Sequence, residues 1–258
     1  MIDFVLRNLV ELATLPGSVP KLRSFILDQA VRGNLTADWR RDNPDVEPAS
    51  VLLERIRQEK QELVKAGKIK KQKELPPVEP GEVPFAVPES WEWVRLGDVF
   101  VTVTDGDHLP PPKAPDGVPF LVIGDIREGT IDTKNASRFV SRKYYDGLDW
   151  SRIPRKGTIL YTLVGSLGIP VLVQSDAKFC VQRHIGLLQP SSQTNTEYLR
   201  HLLESDLTFE QASNVATGIA QKTVPLSGLR SIIEPIPPTV EQTEIVRRVD
   251  ELMALCDQ

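Results

Sequence analysis

A proline-rich stretch constrains this chain most, because it separates two kinds of sequence. Residues 75–90 read LPPVEPGEVPFAVPES. Proline lacks a backbone donor and fixes its own φ, so repeated prolines exclude a helix or a central strand. We therefore predict an extended linker over 76–90 and a domain boundary at this point.

Residues before the linker predict helices. The segment 20–33 reads PKLRSFILDQAVRG, with apolar side chains on one face and a stop at Gly33. A second helix opens near Pro48 and carries Leu52, Ile56 and Leu63 on one stripe. Its lysine-rich end, KAGKIKKQK, is predicted to be solvated rather than a phosphate site.

Residues after the linker predict short strands, each bounded by Gly, Pro or Asp. The runs are WEWVRL, VFVTVT, PFLVIG, GTILYTL, IPVLVQ, FCVQRHIGLLQ and RSIIEPI. Two short helices, TEYLRHLLES and LTFEQASNVATG, interrupt them. The predicted class is α+β: a mostly β domain with short helices, plus longer helices.

The last segment predicts a helix with a buried seam. PPTVEQTEIVRRVDELMALCDQ opens with Thr239 and Gln242 at capping-box spacing. Apolar residues then recur at steps of four, three and four, which is typical of a coiled coil. These residues are Ile245, Val249, Leu252 and Cys256. A seam needs a partner, and we expect the VLLERIRQEKQELV helix of this chain or of a second copy.

Composition excludes several classes of protein. The chain has no apolar run of membrane-spanning length, and Asp3 and Glu11 do not fit a secretory signal. The expected location is the cytoplasm. Two cysteines, Cys180 and Cys256, are too few for a disulfide framework or a cysteine-based zinc site. No metal site is predicted.

The common catalytic signatures are missing from the sequence. It contains no GxxxxGK[ST], GxSxG or HExxH motif. The GSLG sequence at 165–168 is interpreted as a tight turn, and Asp105 and Asp107 as turn residues. The three histidines, His108, His184 and His201, have no neighbouring nucleophile in a recognisable arrangement. No enzyme is predicted.

One segment is basic although the net charge is −4. Residues 138–190 carry eight Lys or Arg against three Asp or Glu, and within 138–157 the cations alternate with aromatic rings. Cations hold phosphates and rings pack on sugars or bases, so the segment fits a nucleic-acid surface or an ordinary charged loop. A second candidate, TGIAQKTVPLSGL, presents Gln221, Lys222 and Thr223 as small or flexible polar donors, or as plain loop residues.

Five ordered blocks of the chain resemble the specificity subunit of type I restriction-modification systems. The blocks are LRSFILDQAVRGNL, EPASVLLERIRQEKQELVKAGKIKK, VPESWEWVRLGDV, GIAQKTVPLSGL and IPPTVEQTEIVRRVDELMALCDQ. The resemblance implies a non-catalytic DNA-reading subunit whose conserved helices pair as a coiled coil and dock methyltransferase and restriction subunits. It implies no cofactor on this chain, with S-adenosylmethionine, ATP and Mg on the partner subunits.

The resemblance also implies a division of the chain into four parts. These are a helical conserved region (1–75), a proline-rich linker (76–90), a target recognition domain (91–235) and the start of a spacer helix (236–258). The family usually carries two recognition domains, which read the two halves of a split DNA site, and this chain has room for one. It is therefore either a fragment, which the short terminal helix favours, or a half-sized subunit that pairs with a second copy and reads a palindromic split target.

Residue assignments follow from this interpretation. The predicted phosphate contacts are Arg142, Lys143, Lys156 and Lys222. The predicted base readers are Tyr144, Gln182, Arg183 and Gln221, with Thr223 beside them as a polar donor. Arg183 has a competing role as the partner of a buried carboxylate. The opposing hypothesis is a coiled-coil protein-interaction scaffold whose β domain binds a peptide.

Overall fold

The computed structural model describes residues 2–108, 111–127, 129–219 and 221–257. The predicted ranges 1–75, 91–235 and 236–258 therefore include a few residues that lie outside the described ones. These are Met1, Leu109, Pro110, Glu128, Ala220 and Gln258.

Helices and strands are mixed along the described chain. The helices are α1 (Ile2–Arg7), α2 (Leu9–Ala13), α3 (Ser18–Val31), α4 (Ala37–Asp42), α5 (Ala49–Lys65), α6 (Leu96–Val99), α7 (Arg142–Asp146), α8 (Thr196–Glu204), α9 (Asp206–Val215), α10 (Leu226–Ser231) and α11 (Thr239–Cys256). The strands are β1 (Glu92–Arg95), β2 (Phe100–Asp105), β3 (Val118–Leu121), β4 (Ile126–Arg127), β5 (Thr130–Ile131), β6 (Phe139–Val140), β7 (Ile159–Thr162), β8 (Pro170–Leu172), β9 (Cys180–Val181), β10 (Ile185–Pro190) and β11 (Ile233–Ile236). Helix makes up 43% and strand 18%, and the predicted α+β class is confirmed.

A four-stranded antiparallel sheet in the order β2-β10-β7-β8 forms the centre of the fold. Alternate side chains of a strand point to opposite faces. In β7, Ile159 and Tyr161 therefore join the largest hydrophobic core, whereas Leu160 joins a second core on the other face. Because both faces are buried, β7 reads as a continuous apolar run rather than an alternation.

Three smaller sheets complete the β structure. β3 pairs antiparallel with β6 and parallel with β9, while β4 and β5 form a two-stranded ladder. β1 pairs with β11 along its full length, from Glu92 opposite Ile236 to Arg95 opposite Ile233. The chain thus enters and leaves the β region at the same place.

The terminal helix α11 packs against other helices, as the seam predicted. Ile245, Val249 and Cys256 are buried, and Leu252 is half-buried. The covering helices are α3, α2 and α8. The prediction that α5 is the partner within this chain is wrong, since α5 packs against α6 and β2, with Leu52 and Ile56 buried and Leu63 half-buried. A coiled coil with a second copy stays a prediction.

The predicted capping box of α11 is also wrong. Gln242 is fully buried: its Nε2 donates to the carbonyl of Pro237 at 3.0 Å, and its Oε1 accepts from the backbone N–H of Asn195 at 2.9 Å. The Thr239 hydroxyl donates to the carbonyl of Gln193 at 3.2 Å. Both side chains tie the start of α11 to the segment before α8 instead of closing their own first turn.

The proline-rich segment contains a 3-10 turn at Pro80–Glu82 and is held in place by neighbours. Arg95 donates to the carbonyls of Pro76 and Pro77 and pairs with Glu82 at 2.6 Å. The rings of Phe85 and Trp93 meet edge to face with centroids 5.0 Å apart. The largest core contains residues from both sides of this segment, and the predicted domain limits stay a prediction.

Candidate nucleic-acid interface

Most of the residues predicted to contact DNA lie at or near one end of the central sheet. β2 ends there at Asp105, opposite Gly186 of β10, and β7 ends there at Thr162, opposite Ile185. Antiparallel order brings the segments that follow or precede these strand ends together. We call this the loop end, and it comprises residues 105–108, 163–168, 182–184, 217–219 and 221–223.

A glycine explains how two loops of the loop end come so close. A Cβ on Gly106 would lie 1.9 Å from the carbonyl oxygen of Val181, so only glycine fits the crossing. The close approach lets Asp107 form a parallel bridge with Gln182. The Asp-Gly sequence is thus a close crossing of two chain segments rather than the predicted turn, since Asp105 ends β2 and Asp107 forms a bridge.

Asp107 organises a polar cluster at this crossing. Its carboxylate accepts from the hydroxyl of Tyr144 on α7 and from the guanidinium of Arg152, which ends a 3-10 turn at Trp150–Arg152. Burial, and then the bond to Asp107, hold the pKa of Tyr144 well above its usual range. The hydroxyl of Tyr144 is therefore a neutral donor engaged inside the protein, and its ring is half-buried.

A cavity of about 520 Å³ adjoins this cluster. Its lining residues are Asp107, Ser141, Lys143, Tyr144, Gly147, Leu148, Asp149 and Arg152. Two cations and two carboxylates share the wall, so the cavity presents donors and acceptors in balanced charge.

Two more cations of the basic segment have partners inside the protein. Arg138 donates to the carbonyl of Pro111 and lies over the ring of Phe120, with Cζ 5.0 Å from the centroid. Arg155 lies 3.9 Å above the ring of Trp150, and burial lowers its pKa. Within 138–157, the exposed cations for which the described structure gives no side-chain hydrogen bond or ion pair are Arg142, Lys143 and Lys156.

Lys156 lies away from the other predicted contacts. It precedes β7 by three residues, whereas the loop end follows the last residue of that strand. The neighbouring Gly157 donates to the carbonyl of Val173, just beyond the far end of β8. The structure therefore brings Lys143 and Tyr144 toward the loop end through Asp107 and leaves Lys156 at the opposite end of the sheet.

Residues 217–219 and 221–223 are held together at Thr217 and Thr223. Thr217 and Thr223 exchange backbone hydrogen bonds of 2.9 and 2.8 Å, and Val224 donates to the carbonyl of Leu163 at 2.9 Å. Gly218 has φ +101°, a conformation that favours glycine. Gln221 and Lys222 are exposed on this loop, and Thr223 is half-buried at its base.

The turn between β9 and β10 carries the remaining predicted readers. Gln182 is half-buried, and Arg183 is exposed with its Nε 3.4 Å from His184 Nε2. In the described structure Arg183 has no carboxylate partner, so the competing role assigned to it is wrong. Burial, and then the Arg183 charge, lower the pKa of His184.

Sequence reasoning missed Asp107 and Arg152 as members of the site. Asp107 was interpreted as a turn residue, and Arg152 was one of the six Lys or Arg residues in the segment 138–157. The position of Asp107 two residues after a strand was the available signal, but its partners lie 37 and 45 residues away in sequence.

Within the described ranges, no cluster of three or more His, Cys, Asp or Glu side chains is arranged to hold a metal. None of the described helices has the length and apolar character to cross a membrane.

Comparison with known proteins decides the family. Residues 88–258 match the type I restriction modification DNA specificity domain. The chain belongs to this family. The matched range includes every strand of the fold together with α11, and the predicted resemblance is confirmed.

Relatives in the same family come from Escherichia coli. The EcoEI specificity subunit is 32% identical over 260 aligned positions, covering 96% of this chain and 42% of that protein. The EcoAI specificity subunit is 33% identical over 257 positions, covering 93% and 40%. This chain thus spans less than half the length of these relatives, which are named as specificity subunits rather than as catalytic subunits.

Solved structures share the fold. A chain from a study of complex assembly and conformational transition of the type I R-M system aligns with a TM-score of 0.53 at 17% identity, covering 87% of this chain and 51% of that one. The HsdS subunit from Thermoanaerobacter tengcongensis aligns with a TM-score of 0.50 at 21% identity, covering 81% and 49%.

Proposed function

We propose that this chain is the DNA-reading part of a type I restriction-modification specificity subunit, and that the loop end meets the DNA. It reads one half of a split target in the cytoplasm and has no catalytic activity of its own. The observation that carries the proposal is the convergence of separate polar segments at one end of a sheet, within the range that matches the family.

The exposure and ion pairing of each side chain separate the proposed phosphate contacts from the proposed base contacts. Arg142, Lys143 and Lys222 are exposed, and the described structure gives none of them an ion pair, so they are free to neutralise phosphates. Gln182, Arg183 and Gln221 present amide or guanidinium donors to base edges, with Thr223 at the base of its loop and the ring of Tyr144 nearby. Lys156, at the opposite end, would reach only DNA that extends along the basic segment.

The helices provide attachment to partners. We propose that α3, α5 and α11 hold the methyltransferase subunit, to which the restriction subunit adds. S-adenosylmethionine, ATP and Mg are assigned to those partners. The partner helix of the spacer comes either from the remainder of a longer subunit or from a second copy of this chain.

Lys222→Ala tests the phosphate role. The change is expected to weaken binding to all duplexes and to reduce the slope of log affinity against log salt by about one, because one phosphate contact is lost. Fluorescence anisotropy across salt, on the complex with a co-expressed methyltransferase subunit, measures both quantities.

Lys73→Ala is the matched control, since Lys73 is an exposed lysine outside the loop end and outside α3, α5 and α11. It is expected to leave affinity and slope unchanged. Unchanged affinity and slope for Lys222→Ala would remove Lys222 from the site. Absence of duplex binding by the wild-type complex, together with capture of peptides, would favour the interaction scaffold instead.

A further inference from the structure

The cavity at the loop end contains a guanidinium that is held in place but only partly used. In the described structure, Arg152 donates from Nη1 to Asp107, and no other side-chain hydrogen bond of Arg152 is present. A guanidinium has five N–H donors in a planar fork. Its side chain is 29% exposed and lines the cavity, so the unused donors have access to a ligand.

Asp107 fixes the position of this guanidinium. Oδ1 accepts from Arg152 and Oδ2 accepts from the hydroxyl of Tyr144, so both oxygens are engaged by donors from different segments. The backbone of Asp107 is itself fixed by the bridge to Gln182. A side chain that is already ordered loses less conformational entropy when it binds.

The charge balance of the cavity indicates what kind of ligand fits. Lys143, Arg152, Asp107 and Asp149 all line the cavity, and Arg152 and Asp107 are in direct contact. Two carboxylates beside two cations disfavour a dianionic or polyanionic ligand relative to a neutral polar edge. Among base edges, guanine presents two adjacent acceptors, O6 and N7, which match the fork of an arginine.

We propose that Arg152 binds the O6 and N7 edge of a guanine in the target half-site, with Asp107 and Tyr144 as positioning residues. The inference rests on the proposed function and assigns one base to one residue. A lysine keeps the charge at this position but cannot reproduce the planar fork.

Arg152→Lys is the test, in the complex with a co-expressed methyltransferase subunit. Duplexes selected from a randomised library report the preference at every position of the motif. The variant is expected to reduce the preference for guanine at one position about 5- to 150-fold while the other positions keep theirs. Asp107→Asn, which is nearly isosteric but uncharged, is expected to reduce the same preference to a smaller extent.

Arg41→Lys is the matched control, because Arg41 is an exposed arginine of α4 that is paired with Asp42 and lies outside the loop end and the proposed docking helices. It is expected to leave the motif intact, and thermal unfolding of each variant verifies that the fold persists. If Arg152→Lys leaves the motif unchanged, or weakens binding to all sequences equally, the inference about Arg152 is overturned but the proposed function is not. A wild-type complex that selects no sequence overturns the proposed function, and the inference fails with it.

Discussion

Glu241 shows how much one buried residue does in this fold. It is fully buried on α11, and its carboxylate accepts from the hydroxyl of Thr36 at 2.7 Å and the indole N–H of Trp91 at 2.9 Å. Arg40 pairs with it at 3.0 Å. One carboxylate thus connects the terminal helix to the N-terminal helices and to the start of β1. Glu241 lies in the first turn of α11, where acidic residues are common, and that local pattern carries no sign of distant partners.

Glu234 on β11 gives the stability a pH dependence. Burial raises its pKa to about 8, one carboxylate oxygen accepts from Thr208 at 2.8 Å, and the other has no partner in the described structure. A raised carboxyl pKa contributes stability that is complete below about pH 4.5 and is lost as pH rises toward 8. Between these values the loss is about 1.4 kcal/mol per pH unit.

Glu234→Gln is therefore expected to flatten the decline in stability between about pH 4.5 and 8. Urea unfolding at several pH values measures the difference between variant and wild type, which should grow in favour of the variant as pH rises. Glu210→Gln, at an exposed position of α9, is the control and should follow the wild type. Parallel curves for wild type and Glu234→Gln would contradict the prediction.

At the scale of elements, local patterns predicted what the chain forms but not what it packs against. The apolar runs predicted β1, β2, β7, β8 and β11, because strands buried on one or both faces leave that signature. The two-residue strands β4, β5 and β6 and the five-residue helix α7 are too short to show a period. An amphipathic stripe indicates which face of a helix is buried but not which element covers it. We therefore predicted α5 as the neighbour of α11, whereas in the structure α3 lies against α11.

The seam of α11 supports a quantitative prediction. Ile245→Ala is expected to destabilise the fold by about 2–5 kcal/mol, because Ile245 is fully buried among helices and its truncation leaves a cavity. Urea unfolding measures the change. Val240→Ala, on the same helix but 55% exposed, should stay within about 0.5 kcal/mol of wild type. Equal effects of the two changes would contradict the packing of α11.

Prediction of the candidate site was limited in the same way, because local sequence patterns do not show which distant residues come into contact. Gln182 and Gln221 were nominated for their chemistry, and the structure places them at one end of the sheet through β10 and the base of the 217–223 loop. The contact between Asp107 and Arg152 joins residues 45 positions apart, which no local pattern encodes. Residue type identified candidates, and only the sheet order brought them together.

At the scale of the whole molecule, the pairing of β1 with β11 leads us to predict that the β region can be exchanged. Its entry and exit strands are neighbours, so we expect a replacement of residues 91–235 to keep the two chain ends side by side. We predict that placing residues 91–235 of this chain in a longer specificity subunit changes one half of its methylated split motif. Mapping methylated adenines in cells with the hybrid and its methyltransferase subunit checks this. If neither half of the methylated motif changed, or if both halves changed, the prediction would be contradicted.

The long-range contacts of α11 also fix the order in which the protein is completed during synthesis. Arg40 and Trp91 emerge from the ribosome about 200 and 150 residues before Glu241, and chains are made N-terminus first at about 5–20 residues per second. For roughly ten seconds or more, Arg40 has no carboxylate from α11 and the apolar face of α3 lacks its cover. We therefore expect α3 and α4 to reach their final packing only after α11 has been made.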